Sequence, residues 1–260
     1  MTFSIITITY NAQSVLQPTL DSVASQSFRD VEHIIVDGAS KDSTLSIANN
    51  YAKQVEGTGI NVVIKSERDR GIYDAMNKGL QMATGNYVVF LNAGDRLASP
   101  ETLYNINRVI EQNANPDVVF GDTDLIDAEG SYLGQRHLST PKVLTWRSFR
   151  HGMVVCHQAF YVRRTLAQQH AYDLGYRFSA DVDWCIRCMK DAHKLVRVEQ
   201  NPPSQRGEVV ALYLREGTTT ANRKASLIER FNVMRKHYGI VSTIIMHLWF
   251  CVRGILKKIK

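Results

Sequence analysis

Tyr87-Val88-Val89-Phe90-Leu91 runs directly into Asn92-Ala93-Gly94-Asp95, an amide and a carboxylate behind an apolar segment. Mg²⁺ and Mn²⁺ take oxygen ligands and make few protein contacts, so this set suits a cation that bridges protein to phosphate oxygens. The same residue types favour turns, which is the plainer reading of the four taken alone. Three further apolar runs end in polar residues. Thr9 and Asn11 close the first, where hydroxyl and amide groups can hydrogen-bond a base or ribose, or cap a helix. Asp37 closes the second, ahead of Gly38, and a carboxylate there can accept a hydrogen bond from the imide or amino edge of a base. The third leads into Ser66-Glu67-Arg68-Asp69-Arg70-Gly71-Ile72-Tyr73-Asp74, which carries more charge than a solvated loop needs. Asp74 and Asn77 lie three apart at a helix start and so share a face.

The elements that must position these groups alternate between two periods. Apolar runs at Phe3–Thr9, Glu32–Val36, Asn61–Ile64, Tyr87–Leu91 and Asp117–Phe120 have the length and β-branched content of buried strands. Helical patterns at Ser14–Gln26, Ser43–Val55, Ile72–Ala83 and Pro100–Gln112 separate them. Strand–helix alternation with nearly continuous apolar strands predicts an α/β fold, a Rossmann-like, mainly parallel sheet with helices on both faces. Ligands of such sheets bind beyond the carboxyl ends of the strands, where the polar clusters stand. A dinucleotide fold would place G-x-G-x-x-G after the first strand, and a nucleotidylyltransferase a glycine-rich basic loop; neither is present. The second half reads as a hairpin over Asp122–Gln135 turning at Ala128-Glu129-Gly130, helices near Arg163–His170 and Ala180–Ala192, a short run at Leu195–Val198, and a helix near Asn222–Tyr238.

With 260 residues, 44% of them hydrophobic, the chain can bury one substantial core. A formal charge of +6 suits an anionic partner, but no basic stripe with interleaved aromatics marks a nucleic-acid surface. Cys185 and Cys188 form a C-x-x-C inside a helical pattern, without a second pair at zinc spacing, and read as buried thiols. The amino terminus has no basic region or cleavage site of a signal peptide, which predicts a cytoplasmic protein. The segment 241–256 is apolar, is interrupted by His247 and Arg253, and is followed by Lys257, Lys258 and Lys260. It is shorter than the roughly 20 residues that span a bilayer. The pattern predicts an interfacial helix on an anionic membrane, peripheral on its inner face, with docking onto the domain or a dimer contact as the alternatives.

The ordered motifs SIITITYN, IIVDGASKDST, SERDRGIYDAMNKGL and ATGNYVVFLNAGD resemble the family 2 inverting glycosyltransferases of GT-A fold, most closely bacterial members that build capsule, exopolysaccharide or O-antigen units. The likeness is strong over 3–125 and patchier to about 220. It implies a domain over 1–220, with 1–125 holding the nucleotide sugar and 126–220 the acceptor, followed by a C-terminal helical segment over 221–260.

By that resemblance Asp37 reads the base, usually uracil, Thr9 and Asn11 touch the nucleoside, and Asp69 and Arg70 add contacts around the base. Asn92 through Asp95 stand in for the D-x-D-type motif, Asp95 matching the metal carboxylate and Asn92 replacing the first acid of the motif, where the ribose is contacted. Asp181 matches the catalytic base, with Asp183 in reserve and helix capping as the plain alternative. His157 lies in a segment bordering the sugar and acceptor site, and Leu214 to Thr219 resembles a loop that closes over the diphosphate, bringing Arg215 to it. The resemblance implies a Mn²⁺- or Mg²⁺-dependent transfer from a nucleotide diphosphate sugar to a saccharide or lipid-linked saccharide hydroxyl, with inversion. A catalytically silent sugar-nucleotide-binding or assembly subunit is the rival class.

Overall fold

The computed structural model describes residues 1–202, 204–215 and 223–259. Its first half alternates β1 (Phe3–Thr9), α1 (Leu16–Ala24), β2 (Val31–Asp37), α2 (Thr44–Gln54), β3 (Ile60–Ser66), α3 (Ile72–Met82) and β4 (Tyr87–Phe90). Then come β5 (Arg96–Leu97), α4 (Thr102–Gln112), β6 (Val118–Phe120), the hairpin β7 (Asp122–Ile126) and β8 (Tyr132–Gln135), β9 (Phe160–Arg163), α5 (Arg164–Gln168) and α6 (Ala180–Asp191). The chain continues through β10 (Leu195–Arg197) and β11 (Val209–Leu214) to α7 (Arg223–Tyr238) and α8 (Ile240–Ile259).

Seven strands form one sheet in the order β10-β6-β9-β4-β1-β2-β3. Every residue of β1 and β2 is buried, as a strand covered on both faces must be, and their apolar side chains fill the core. The pairs β1–β2, β2–β3, β1–β4 and β6–β10 run parallel. One strand departs from the alternation: β9 lies antiparallel between β4 and β6. The sequence pattern marks Arg163 onward as helix and gives no strand before it, because Phe160-Tyr161-Val162 is too short a run to announce itself.

A second sheet, β5-β11-β7-β8, packs at the carboxyl end of the large one. Its hairpin is where the pattern predicts it, with β7 and β8 antiparallel. Its other two strands, β5 and β11, are absent from the sequence reading, as is the 3-10 helix Trp146–His151. β5 has two residues, too few to carry a period, and β11 follows a Pro202-Pro203 break that obscures it.

Polar side chains stitch the buried sheet. His33 on β2 bonds to Thr7 on β1 through Nε2 at 2.9 Å and to Tyr51 of α2 through Nδ1 at 2.8 Å. Burial with no charged partner lowers its pKa to about 3. Cys156, Cys185 and Cys188 are buried free thiols, in line with the plain reading of the C-x-x-C. No described helix is long and apolar enough to cross a membrane.

Candidate active site at the carboxyl ends of the strands

Parallel register carries the ends of β1, β2 and β3 to one line, with Thr9 opposite Asp37 and Asp37 opposite Ser66. Asp37 is 1% exposed and organises this corner. Its Oδ1 accepts from the hydroxyls of Thr9 (3.2 Å) and Ser40, and its Oδ2 from Ser40 N–H (3.0 Å) and Ser66 Oγ (2.6 Å). Burial would raise its pKa, but these donors outweigh burial and hold the carboxyl below its usual range. Asn11 has a left-handed φ of 47° and a side-chain oxygen that accepts Lys41 N–H at 2.9 Å, so it pins the loop after β2. Thr9 and Asn11 therefore meet Asp37 and its loop, with their side-chain oxygens engaged in protein contacts.

Asp69 comes to the same corner from the loop after β3. Its Oδ1 accepts Gly71 N–H at 2.8 Å, and its Oδ2 lies so close to Gly38 that a Cβ there would sit 2.6 Å away. Tyr10, missed as a candidate, stands over the same glycine and is 65% exposed. An exposed aromatic face at a strand end is the signal that could have found it. Arg70 is held by Asp74, Nη2 to Oδ1 at 3.0 Å, while Asn77 binds the backbone of Tyr172 through both ends of its amide. The shared face of Asp74 and Asn77 thus orients structure.

β4 delivers the second cluster beside the first. Asn92 Nδ2 donates to His157 Nε2 at 3.1 Å, and Gln158 Nε2 donates to Asp95 Oδ2 at 2.7 Å. Adjacent residues of one segment thereby grip both polar members of Asn92-Ala93-Gly94-Asp95. Asp95 Oδ1 accepts the backbone N–H of Leu214 at 3.0 Å, tying the end of β11, and so Arg215, to this turn. Asp95 is 3% exposed; burial pushes its pKa up to about 6, against the lowering effect of the Gln158 and Leu214 donors. Gly94 has φ +98°, and a Cβ there would meet Leu214 at 2.5 Å, so the turn needs glycine for backbone and for space. Gln158 escaped sequence reading because an amide beside a histidine carries no distinctive spacing.

Asn92 Oδ1 is buried and has no hydrogen-bond partner among the described residues. Each Asp95 oxygen accepts one bond and keeps a second lone pair. An orphaned amide oxygen beside a single carboxylate fits a Mg²⁺- or Mn²⁺-type ion, which takes few protein oxygens and completes its shell with water and phosphate. Among the described residues no group of three His, Cys, Asp or Glu could hold a metal alone.

His157 links this turn to Asp181. Because Asn92 donates to Nε2, the neutral ring carries its proton on Nδ1, which faces Asp181 Oδ2 at 3.5 Å. Tyr73 of α3 donates to Asp181 Oδ1 at 3.3 Å. Burial would raise the Asp181 pKa, but the nearby His157, and Arg230 of α7 at longer range, hold it below the usual range. Its carboxylate is turned to these groups, and Ser179, the residue that precedes the helix, makes no side-chain cap.

Asp183 corrects an expectation. It is fully buried and bound by Arg187 Nε at 2.7 Å, His237 Nε2 at 2.8 Å and Lys236 Nζ at 3.0 Å. Burial opposes ionisation, yet these three donors hold the carboxyl far below the ordinary range. No acceptor can reach it, so it clamps α7 to α6 and is no reserve base. Beyond Arg215, which is exposed, the closing loop expected over 214–219 lies outside the described residues.

The sequence model of Glycosyl transferase family 2 matches residues 4–170, which include every strand-end cluster. A PGL/p-HBAD biosynthesis glycosyltransferase of Mycobacterium tuberculosis (strain ATCC 25177 / H37Ra) is 37% identical over 75% of this chain and 72% of its own. The amylovoran biosynthesis glycosyltransferase AmsB of Erwinia amylovora is 26% identical over 77% and 68%. Among solved structures, TarS 1-349 of S. aureus with UDP-GlcNAc superposes with a TM-score of 0.69 at 21% identity, covering 90% of this chain and 65% of that one. Mannosyltransferase PcManGT of Pyrobaculum calidifontis, solved with GDP-Man and Mn²⁺, gives 0.65 at 18%, covering 95% and 70%. At these identities the structures speak to fold alone, and that fold is GT-A. With the family model matching 4–170 and a relative 37% identical over 75% of the chain, the chain belongs to glycosyl transferase family 2.

Proposed function

We propose that this glycosyltransferase moves a sugar from a nucleoside diphosphate donor, of UDP type, to a hydroxyl of a lipid-linked saccharide, with inversion at the anomeric carbon. The observation that carries it is Asp181, a carboxylate held by Tyr73 and His157 beside the Asn92–Asp95 turn. The nucleoside would lie along Thr9, Asn11, Asp37, Asp69 and Arg70, with Tyr10 as a stacking face. The diphosphate would reach the Asn92–Asp95 turn, with Arg215 approaching from the end of β11.

Asp181, ionised at neutral pH, takes the acceptor proton as the acceptor oxygen attacks the anomeric carbon from the face opposite the diphosphate. The new carbon–oxygen bond forms, the bond to the diphosphate breaks, and the diphosphate leaves with the electron pair. A Mg²⁺ or Mn²⁺ ion on Asp95 and Asn92 Oδ1 would supply electrostatic stabilisation of that leaving charge. His157, through Nδ1–H, and Tyr73, through its hydroxyl, orient the Asp181 carboxylate.

The lipid-linked acceptor is supported by relatives that act in glycolipid and polysaccharide synthesis and by the apolar α8, proposed to lie on the inner face of the cell membrane. Release of nucleoside diphosphate from a panel of nucleotide sugars, with Mn²⁺ or Mg²⁺ and lipid-linked acceptors, tests the reaction. The expected result is turnover of one donor by the wild type, loss of turnover on chelation, and loss of about 10²- to 10⁴-fold in Asp181→Asn, with donor-induced thermal stabilisation retained. Donor binding without turnover by the wild type would indicate the silent subunit instead.

A further inference from the structure

The start of α8 meets the 3-10 helix Trp146–His151 at a groove of about 530 Å³. Arg150, His151 and Tyr238 line one side, Val241, Ile245 and Met246 the other. Tyr238 is fixed beneath it: its ring stacks on Trp146 at 5.5 Å, and its hydroxyl donates to the Trp146 carbonyl at 2.6 Å. The Arg150 guanidinium lies 5.5 Å from the centre of the Tyr238 ring, but its Nε is buried with no hydrogen-bond partner among the described residues. Cation–π contact does not satisfy an N–H, and a buried donor without an acceptor is costly.

From the apolar wall of this groove an uncovered stripe continues along α8. Val241, Ile244, Ile245, Leu248, Trp249 and Val252 are 46–69% exposed, and their spacing of three and four keeps them on one face. Thr243, fully buried, marks the opposite, inward face. Charge is one-sided as well. Glu229 is the single acidic residue from Arg223 to Lys260, and it is occupied by the N–H groups of Arg177 and Phe178 at 2.8 and 2.7 Å. A cation-lined groove that opens onto an apolar stripe, in a segment of one sign, complements an anionic head joined to hydrocarbon.

We propose that this groove seats the phosphate headgroup of an anionic membrane lipid against Arg150, with the lipid's chains along the exposed face of α8. The inference rests on the reading of α8 as membrane-facing and adds a specific headgroup contact. Lys190 of α6 lies 4.9 Å from the centre of the Trp146 ring, so the helix that carries Asp181 in its first turn ends beside the 3-10 helix that walls the groove.

Two assays on the full chain test it. In the first, dihexanoylphosphatidylglycerol below its micelle threshold is titrated by calorimetry against wild type, Arg150→Gln and Arg235→Gln. The expected result is saturable binding to wild type and Arg235→Gln, at least about tenfold weaker binding to Arg150→Gln, and weaker binding of inorganic phosphate to all three. Equal binding to Arg150→Gln, or inorganic phosphate binding as tightly as the lipid, overturns the groove. In the second, the proteins are sedimented with phosphatidylcholine vesicles with and without phosphatidylglycerol. Vesicle binding that ignores Arg150→Gln overturns the groove while sparing the α8 reading, whereas a wild type that binds no vesicle, or a dimer by light scattering that buries the stripe, overturns both. Arg150→Lys, which keeps the charge, should recover much of the binding, and unchanged thermal unfolding of the variants excludes misfolding as the cause.

Discussion

Replacing Gln158 with leucine would leave Oδ2 of Asp95 facing an apolar group in a nearly closed environment. A buried acceptor that loses its donor costs about 1–3 kcal/mol, so thermal unfolding should shift down, and donor binding should weaken with it. His33 offers a test through pH. Its folded pKa, about 3, lies below the ordinary value of 6.5, so the unfolded chain binds the proton first. The stability contributed by the neutral ring is complete above about pH 6.5 and is lost as pH falls toward 3, by at most about 1.4 kcal/mol per unit. Asp95 titrates in the same window with the opposite sign, so the comparison is between wild type and His33→Asn, in which that share cancels. Denaturant unfolding between pH 7 and 4.5 should show the steeper decline in wild type. Asp37 and Asp95 were legible as candidates because one closes an apolar strand and the other lies in the turn just after one. Gln158 and Tyr73 were not, since what makes them matter is a partner 63 or 108 residues away.

α6 and α7 are joined by one buried carboxylate with three donors, and that fixes what a change there should do. Asp183→Asn keeps the shape and removes the charge, leaving Arg187, Lys236 and His237 around a neutral amide. Breaking a buried pair this way costs about 3–5 kcal/mol, and α7 should become the first element to gain hydrogen exchange. Nucleotide binding at the β1–β3 corner should change less than unfolding does. The elements of the first half follow the sequence pattern closely, because β1, β2 and β4 are buried along their whole length and the edge strand β3 still carries the apolar run Val62-Val63-Ile64. β9 and β11 escaped for the reverse reason. β9 has four residues and β11 lies behind the Pro202-Pro203 break, and each joins its sheet by pairing with strands distant in sequence, which no local period records.

The whole molecule joins a mainly parallel sheet, with the candidate site at its carboxyl end, to a helical tail that leaves an apolar stripe uncovered. Truncation of 241–260 removes the stripe and one wall of the Arg150 groove, but neither Asp181 nor the Asn92–Asp95 turn. In cell fractionation the full chain should sediment with membranes and the truncated one should not, while turnover of a water-soluble acceptor should persist. An unchanged distribution would sink the membrane reading. The tail's character was visible in its composition, but the groove was not, since Trp146 and Arg150 come from a 3-10 helix with no sequence signature. Gly94 has a consequence at this scale too. It lies in the turn after β4, against the side chain of Leu214 at the end of β11, which stands where a Cβ on residue 94 would be. The bare backbone at that turn therefore acts as a spacer of zero thickness, letting the end of β11 close onto it and Leu214 N–H reach Asp95. A side chain at position 94 would act as a wedge: it would meet Leu214 first and, with the left-handed φ of +98°, would loosen the end of β11 from the turn.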